Sequence, residues 1–240
     1  MTCLILDKME QKNEEKQKET ENVVKEDPKS DTKKLLIMIG VVIAVFALVL
    51  LIVQSTGNSS KEVITIDDLH EKNLNGESGE NNYLYNGFSF VFADGLWYTR
   101  VKPGDKLIDV PLHFGPKDLE NIDVKGSLDD TFNQNKEVFV TFDPLNKQMQ
   151  YTALSSAELS LNLAKGILKI PIAACINNET DACIDRPIIT CSNSDKPVIY
   201  IKESKTPLVI LDNNCITIQG EDWDVVKATD RLLLYWYGVF

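Results

Sequence analysis

The sequence predicts an α+β domain carried behind a single transmembrane helix, and three observations support that reading. Nineteen consecutive residues, 35–53, contain no charged, amide or hydroxyl side chain. From residue 83 onward, short β-favouring runs separated by turn residues accompany two stretches of helical periodicity. Four of the chain's five cysteines fall in that later region.

The run LLIMIGVVIAVFALVLLIV, at about 1.5 Å per residue, makes a helix about 28 Å long, close to the roughly 30 Å of bilayer hydrocarbon. A buried core helix of that length would carry some polar side chain. Lys25, Lys29, Lys33 and Lys34 precede the run and Lys61 alone follows closely, so the positive-inside rule keeps the N-terminus in the cytoplasm and sends the C-terminal region outside. Ser55 and Gly57 are spaced as a signal-peptidase site needs. The charged region before the run is too long for a signal peptide, however, and the run exceeds the about 7 to 15 residues of a signal h-region, so an uncleaved signal anchor is expected. Gly40 and Ala44, four residues apart, offer a small-residue stripe through which two such helices would form a homodimer.

Residues 1–34 read as a cytoplasmic charged tail, too poor in apolar side chains to order itself. Cys3 in this tail is expected to be a reduced thiol. Thr2 stands where N-myristoylation needs glycine. Residues 54–82, rich in Gly, Ser, Asn and Glu, read as a flexible outer linker. Within it, EVITIDDL at 62–69 is expected to form a short strand or hairpin arm.

Residues 83–240 hold all but one of the aromatic residues and eight of the nine prolines, and read as one globular domain. FSFVF (88–92), LWYTRV (96–101) and KLIDVPLHF (106–114) are β-favouring runs. ADG (93–95) and PGD (103–105) supply turn residues between them, which predicts a meander or a pair of hairpins. VFVTF (138–142) is a further strand. Leu154, Ala157, Leu161 and Ala164 then recur as one face of a largely buried helix over 151–165, with Ser155, Glu158, Asn162 and Lys165 gathered in a polar wedge. IIT (188–190), VIYIK (198–202), LVIL (208–211) and CITI (215–218) read as strands. A last helix is expected over 222–237, with Asp222 as N-cap, Gly238 as C-cap, and Val225, Thr229, Leu232, Leu233 and Trp236 toward the core.

Cys175, Cys183, Cys191 and Cys215 lie in the region placed outside, an even count in an oxidising compartment, which predicts two structural disulfides. Of the three possible pairings, Cys175 with Cys183 and Cys191 with Cys215 is favoured, because each closes a local loop. A zinc site would call for closely spaced cysteine pairs, and a redox site for C-x-x-C; neither pattern is present. Asn178, Glu179 and Thr180 form a glycosylation sequon between two of these cysteines, and Asn58, Ser59 and Ser60 form another beside the membrane.

The net charge is -11, and the tail's eight lysines nearly balance its nine acidic residues, so the acidity belongs to the outer domain. Such a domain repels phosphate backbones, which argues against nucleic-acid binding. No cofactor motif is present. His113 is the only histidine in the region read as folded, so a hydrolytic triad would need it, with Asp118 or Asp123 and one of Ser155, Ser156 or Ser160; no G-x-S-x-G elbow presents a serine. Two acidic loops, Asn177, Asn178, Glu179, Asp181 and Asp185, and Glu221, Asp222 and Asp224, carry oxygen ligands of the kind calcium takes, yet neither follows the D-x-D-x-D-G pattern.

In ALSSAELSLNLA (153–164), the AC, AC and TC dipeptides ending at Cys175, Cys183 and Cys191, RPIIT (186–190) and CITIQG (215–220), the outer domain resembles uncharacterised archaeal single-pass membrane proteins with a cysteine-containing outer domain. That resemblance implies the topology and brings no activity with it. The sequence expectation is therefore an outer-surface binding or scaffold domain anchored in the lipid bilayer and engaging a protein partner. The alternatives are an anchored hydrolase using His113 and a subunit of a secretion or surface-appendage complex.

Overall fold

The computed structural model describes residues 28–56 and 64–240. The tail through Asp27, with Cys3, and the sequon at Asn58 lie outside the described residues. The chain divides into two units, 1–63 and 64–240.

In the first unit, helix α1 spans Pro28–Thr56. Its segment Thr32–Ile52 has mean hydropathy 3.4 and none of it is buried, which makes it long and apolar enough to cross a membrane. Gly40 and Ala44 lie on this helix, and both are exposed.

The second unit begins earlier than the sequence suggests. Residues Ile66–Leu74 form helix α2, where a strand or hairpin arm was expected. Thr65 and Asp68 close a capping box, each side chain bonded to the other's backbone N–H. The apparent strand signal of Val63, Ile64 and Ile66 is outweighed by this cap and by burial of His70 and Asn73. Asn73 Nδ2 donates to the carbonyls of Tyr83 (3.2 Å) and Phe90 (2.9 Å), and Asn82 Nδ2 donates to Asn73 Oδ1 at 2.7 Å. Part of the predicted linker is thus folded structure.

An antiparallel meander follows: β1 Asn82–Tyr85, β2 Phe88–Ala93, β3 Leu96–Val101 and β4 Ile108–Leu112, in that order. Its first two turns are Asn86–Gly87 and Asp94–Gly95, all four residues with positive φ, the conformation a two-residue type I′ hairpin requires.

The rest builds a six-stranded mixed sheet from β5 Val124–Leu128, β6 Glu137–Phe142, β7 Ile170–Ala173, β8 Val198–Glu203, β9 Leu208–Asn213 and β10 Cys215–Gly220. The order is β5-β9-β10-β8-β6-β7, parallel throughout except for the β9–β10 hairpin. Short helix α3 (Asp130–Gln134) joins β5 to β6, and α4 (Met149–Asn162) crosses from β6 to its parallel neighbour β7. Helix α5 (Trp223–Trp236) ends the fold. Helices α4 and α5 pack on each other and on β6, β8, β9 and β10. Ile199, Ile201, Ile216 and Ile218 of the sheet and Leu159, Leu163, Leu232 and Leu233 of the helices are completely buried there. At roughly 1.5–3 kcal/mol per side chain, that layer is the main driving force for this half of the fold.

Three further sequence expectations are corrected. IIT at 188–190 forms only an isolated bridge, Ile188 with Cys175, inside the loop that carries the cysteines. Asp222 stands at the N-cap position with φ 52 and makes no capping hydrogen bond. Helix α4 turns the opposite way: Ala157, Leu161 and Ala164 are exposed, while Thr152, Ser155, Glu158, Leu159 and Asn162 are buried. The reason lies in what α4 faces, namely polar partners on α5 and on the segment after β4.

Candidate functional site

His113 and Phe114 follow directly on β4, whose alternation puts Val110 and Leu112 into the core. Trp223 opens α5, close to the same place: its ring centroid is 6.1 Å from His113, 5.8 Å from Phe114 and 5.1 Å from Tyr151. His113, Phe114 and Trp223 line, with Phe92, Gly95 and Lys227, a pocket of 420 Å³, within the range of small-molecule sites. Trp223 remains 45% exposed, a large indole held at the rim. Lys227 Nζ sits 5.3 Å from the Phe114 ring and 3.0 Å from Asp224.

Behind the pocket the chemistry becomes acidic. His113 Nδ1 lies 2.8 Å from Glu158 Oε2, so Nδ1–H donates inward and Nε2 is the nitrogen left for a ligand. Glu158, 8% exposed on α4, neighbours the carboxyl of Asp230, which is completely buried on α5. Asp230 Oδ2 accepts the Phe114 N–H at 2.8 Å. No donor among the described residues reaches Asp230 Oδ1, and two buried carboxyls this near each other favour a state in which one keeps its proton. Burial raises the pKa of both, and the neighbouring Glu158 charge adds to the rise at Asp230. A three-residue chain, His113–Glu158–Asp230, therefore runs from the pocket wall into the core.

Asn162, one turn beyond Glu158, donates to the Glu158 carbonyl and accepts from the Tyr237 hydroxyl at 2.8 Å. Gly166 permits that contact, since a Cβ there would collide with the Tyr237 hydroxyl. The chain winds as a π-turn over Leu163–Ile167, a distortion often found next to functional sites.

The carboxylates expected beside His113 lie elsewhere. Asp118 is exposed in a short 3₁₀ turn, and Asp123 is exposed and pairs with Lys125 at 3.0 Å. Ser155 is fully buried and its hydroxyl has no partner among the described residues, while Ser156 and Ser160 are half-buried; none is bonded to His113. Nor is His113 the only folded histidine, because His70 of α2 is buried.

The cysteines fall into two pairs at disulfide distance, Cys175 with Cys183 (Cα separation 6.0 Å) and Cys191 with Cys215 (5.5 Å). The second ties the start of β10 to the loop between β7 and β8. Asn178 is exposed between the first pair. Asn177 is bonded to Asp143, and Asp224 to Lys227. No three His, Cys, Asp or Glu side chains converge as metal ligands among the described residues.

Fold and site together define an α+β domain with two cysteine pairs, whose aromatic pocket rests on a buried acid pair. No known protein family matches the chain, and no curated protein or solved structure matches it either.

Proposed function

We propose that this chain is a binding domain anchored by α1 in the membrane, with residues 64–240 on the outer side and the His113 pocket as the site where it engages its partner. The observation that carries the reading is the preorganised rim. An exposed Trp223 indole packs edge-to-face on Phe114 and Tyr151 and tilted against His113, and the His113 ring is fixed from behind by Glu158. Exposed aromatic anchors beside a fixed polar group are what binding hot spots use. The apolar segment Thr32–Ile52 supports the anchor, read as an uncleaved signal anchor, and the paired cysteines fit an oxidising exterior.

The test is cross-linking in the protein's own membrane followed by recovery of the full chain. The reading expects a reproducible partner that is lost with Trp223→Ala and kept with Tyr235→Ala, a control at another exposed aromatic of α5. Equal recovery from both variants, or no partner from the wild type, overturns it.

A second reading has its own support: a histidine backed by carboxyls is how a general base is held. On this reading the chain is an anchored hydrolase in which His113 takes a proton from water or from a substrate hydroxyl at the pocket. Unchanged turnover in His113→Ala, on any substrate found, removes it. Membership of a secretion or surface-appendage complex is compatible with the binding reading, and the identity of the recovered partner would decide it.

A further inference from the structure

The sequon Asn178–Glu179–Thr180 lies between Cys175 and Cys183, whose pairing closes the loop around it. Its two working groups stand differently in the fold. Asn178 is exposed, and its amide makes no hydrogen bond among the described residues. The side-chain bonds of this stretch belong to its neighbour Asn177, which donates to Asp143 at 3.3 Å and accepts the Glu179 N–H at 3.2 Å. The Thr180 hydroxyl oxygen, by contrast, is buried and has no partner among the described residues. The Thr180 carbonyl accepts the Cys183 N–H at 2.8 Å at the start of the 3₁₀ turn Asp181–Cys183, and both paired cysteines are completely buried. The turn that follows the hidden hydroxyl thus ends on the cysteine that pairs with Cys175.

An acceptor sequon is used through both groups: the asparagine amide nitrogen takes the sugar, and the hydroxyl two residues on is read by the transferring enzyme. In the folded loop the first is open to solvent and the second is not. An enzyme that needs both meets them only while the loop is open, yet a sugar already attached at the exposed Asn178 leaves the loop free to close. We infer that Asn178 is a carbohydrate-attachment site modified before Cys175 and Cys183 pair, so that closing the loop ends its reactivity. The donor is a membrane-borne oligosaccharide linked through its C1 to a lipid phosphate. Asn178 Nδ2 forms the new C1–N bond, the C1–O bond breaks with its electron pair staying on the lipid phosphate, and the amide proton passes to a base of the transferase. The inference rests on the outer placement proposed for residues 64–240.

Peptide mapping by mass spectrometry of the full chain from its own membrane should find a glycan at Asn178, resolved from the sequon at Asn58. Asn178→Gln and Thr180→Ala should abolish it, and Thr180→Ser should keep it. The order of events is read on the full chain made without a transferase, placed in lipid nanodiscs and given an oligosaccharyltransferase with its lipid-linked donor. The oxidised wild type should stay unmodified at Asn178, while Cys175→Ser with Cys183→Ser becomes modified. Cys191→Ser with Cys215→Ser controls for general loosening of the fold and should stay as unreactive as the wild type. A bare Asn178 in the native chain, modification of the oxidised wild type, or no difference between the two double variants overturns the inference. Protease added to intact cells separates this failure from that of the outer placement. A digested domain with a bare Asn178 sinks the attachment site alone, whereas a protected domain sinks the placement as well.

Discussion

Glu158 and Asp230 are neighbouring buried carboxyls on α4 and α5, with His113 bonded to the first and the Phe114 N–H to the second. One proton shared between them makes the pair compatible with its burial. Replacing Asp230 by Asn should therefore be tolerated: the amide oxygen still accepts from Phe114 and the amide nitrogen donates to Glu158. Asp230→Ala removes that acceptor and leaves a buried N–H unpaired, at an expected cost of about 2–4 kcal/mol. Thermal melting of the two variants should show Asn near the wild type and Ala well below it.

The same pair sets a pH dependence whose sign is fixed. Both carboxyls have folded pKa values raised by burial, so over the interval above the unfolded carboxyl range the native state holds more protons than the unfolded chain. Their contribution is greatest in mild acid and is lost as pH rises through the folded values. The loss approaches about 1.4 kcal/mol per pH unit for each proton retained only in the folded state. Urea midpoints measured from pH 4 upward should fall with this slope in the wild type and flatten in Asp230→Asn.

The cysteines make a prediction that bears on compartment. With Cys175–Cys183 and Cys191–Cys215 oxidised, alkylation of the denatured, unreduced full chain should modify Cys3 alone, and reduction should expose four more thiols. Sequence separations of 8 and 24 give about 2.5 and 3.5 kcal/mol on the loop-entropy account. Cys191→Ser with Cys215→Ser should thus lower the melting temperature more than the other double variant.

Asn73 holds α2 to the meander. Asn73→Ala leaves the Tyr83 and Phe90 carbonyls without its amide and Asn82 without its acceptor. Stability should fall by about 2–3 kcal/mol. Limited proteolysis should then cut within residues 66–82, a segment that should resist cleavage in the wild type.

Much of the architecture was legible because its signals are local. Asp94–Gly95 announced a hairpin, and the alternation of VIYIK and CITI marked strands that became the centre of the sheet. The cysteine pairing followed from loop length. What failed depended on partners distant in sequence. The face of α4 was misjudged because Leu154, Ala157 and Leu161 form the more regular apolar stripe, whereas Glu158 is drawn inward by His113 and Asp230, 45 and 72 residues away. Asp230 sits amid Thr229, Leu232 and Leu233, and an acid placed on a core face is a signal that points to such a partner. Helix α2 was missed because Val63, Ile64 and Ile66 resemble a strand, although the Thr65–Asp68 capping spacing was present.

The most direct test of the His113 pocket as the binding site is photo-cross-linking from inside it. A benzophenone side chain placed at Phe92, on the pocket wall with Trp223 kept, irradiated in the full chain in intact cells, should give a discrete adduct, while the same group at Tyr235 should give none. Adducts of equal yield at both positions, or none at Phe92, would contradict the account.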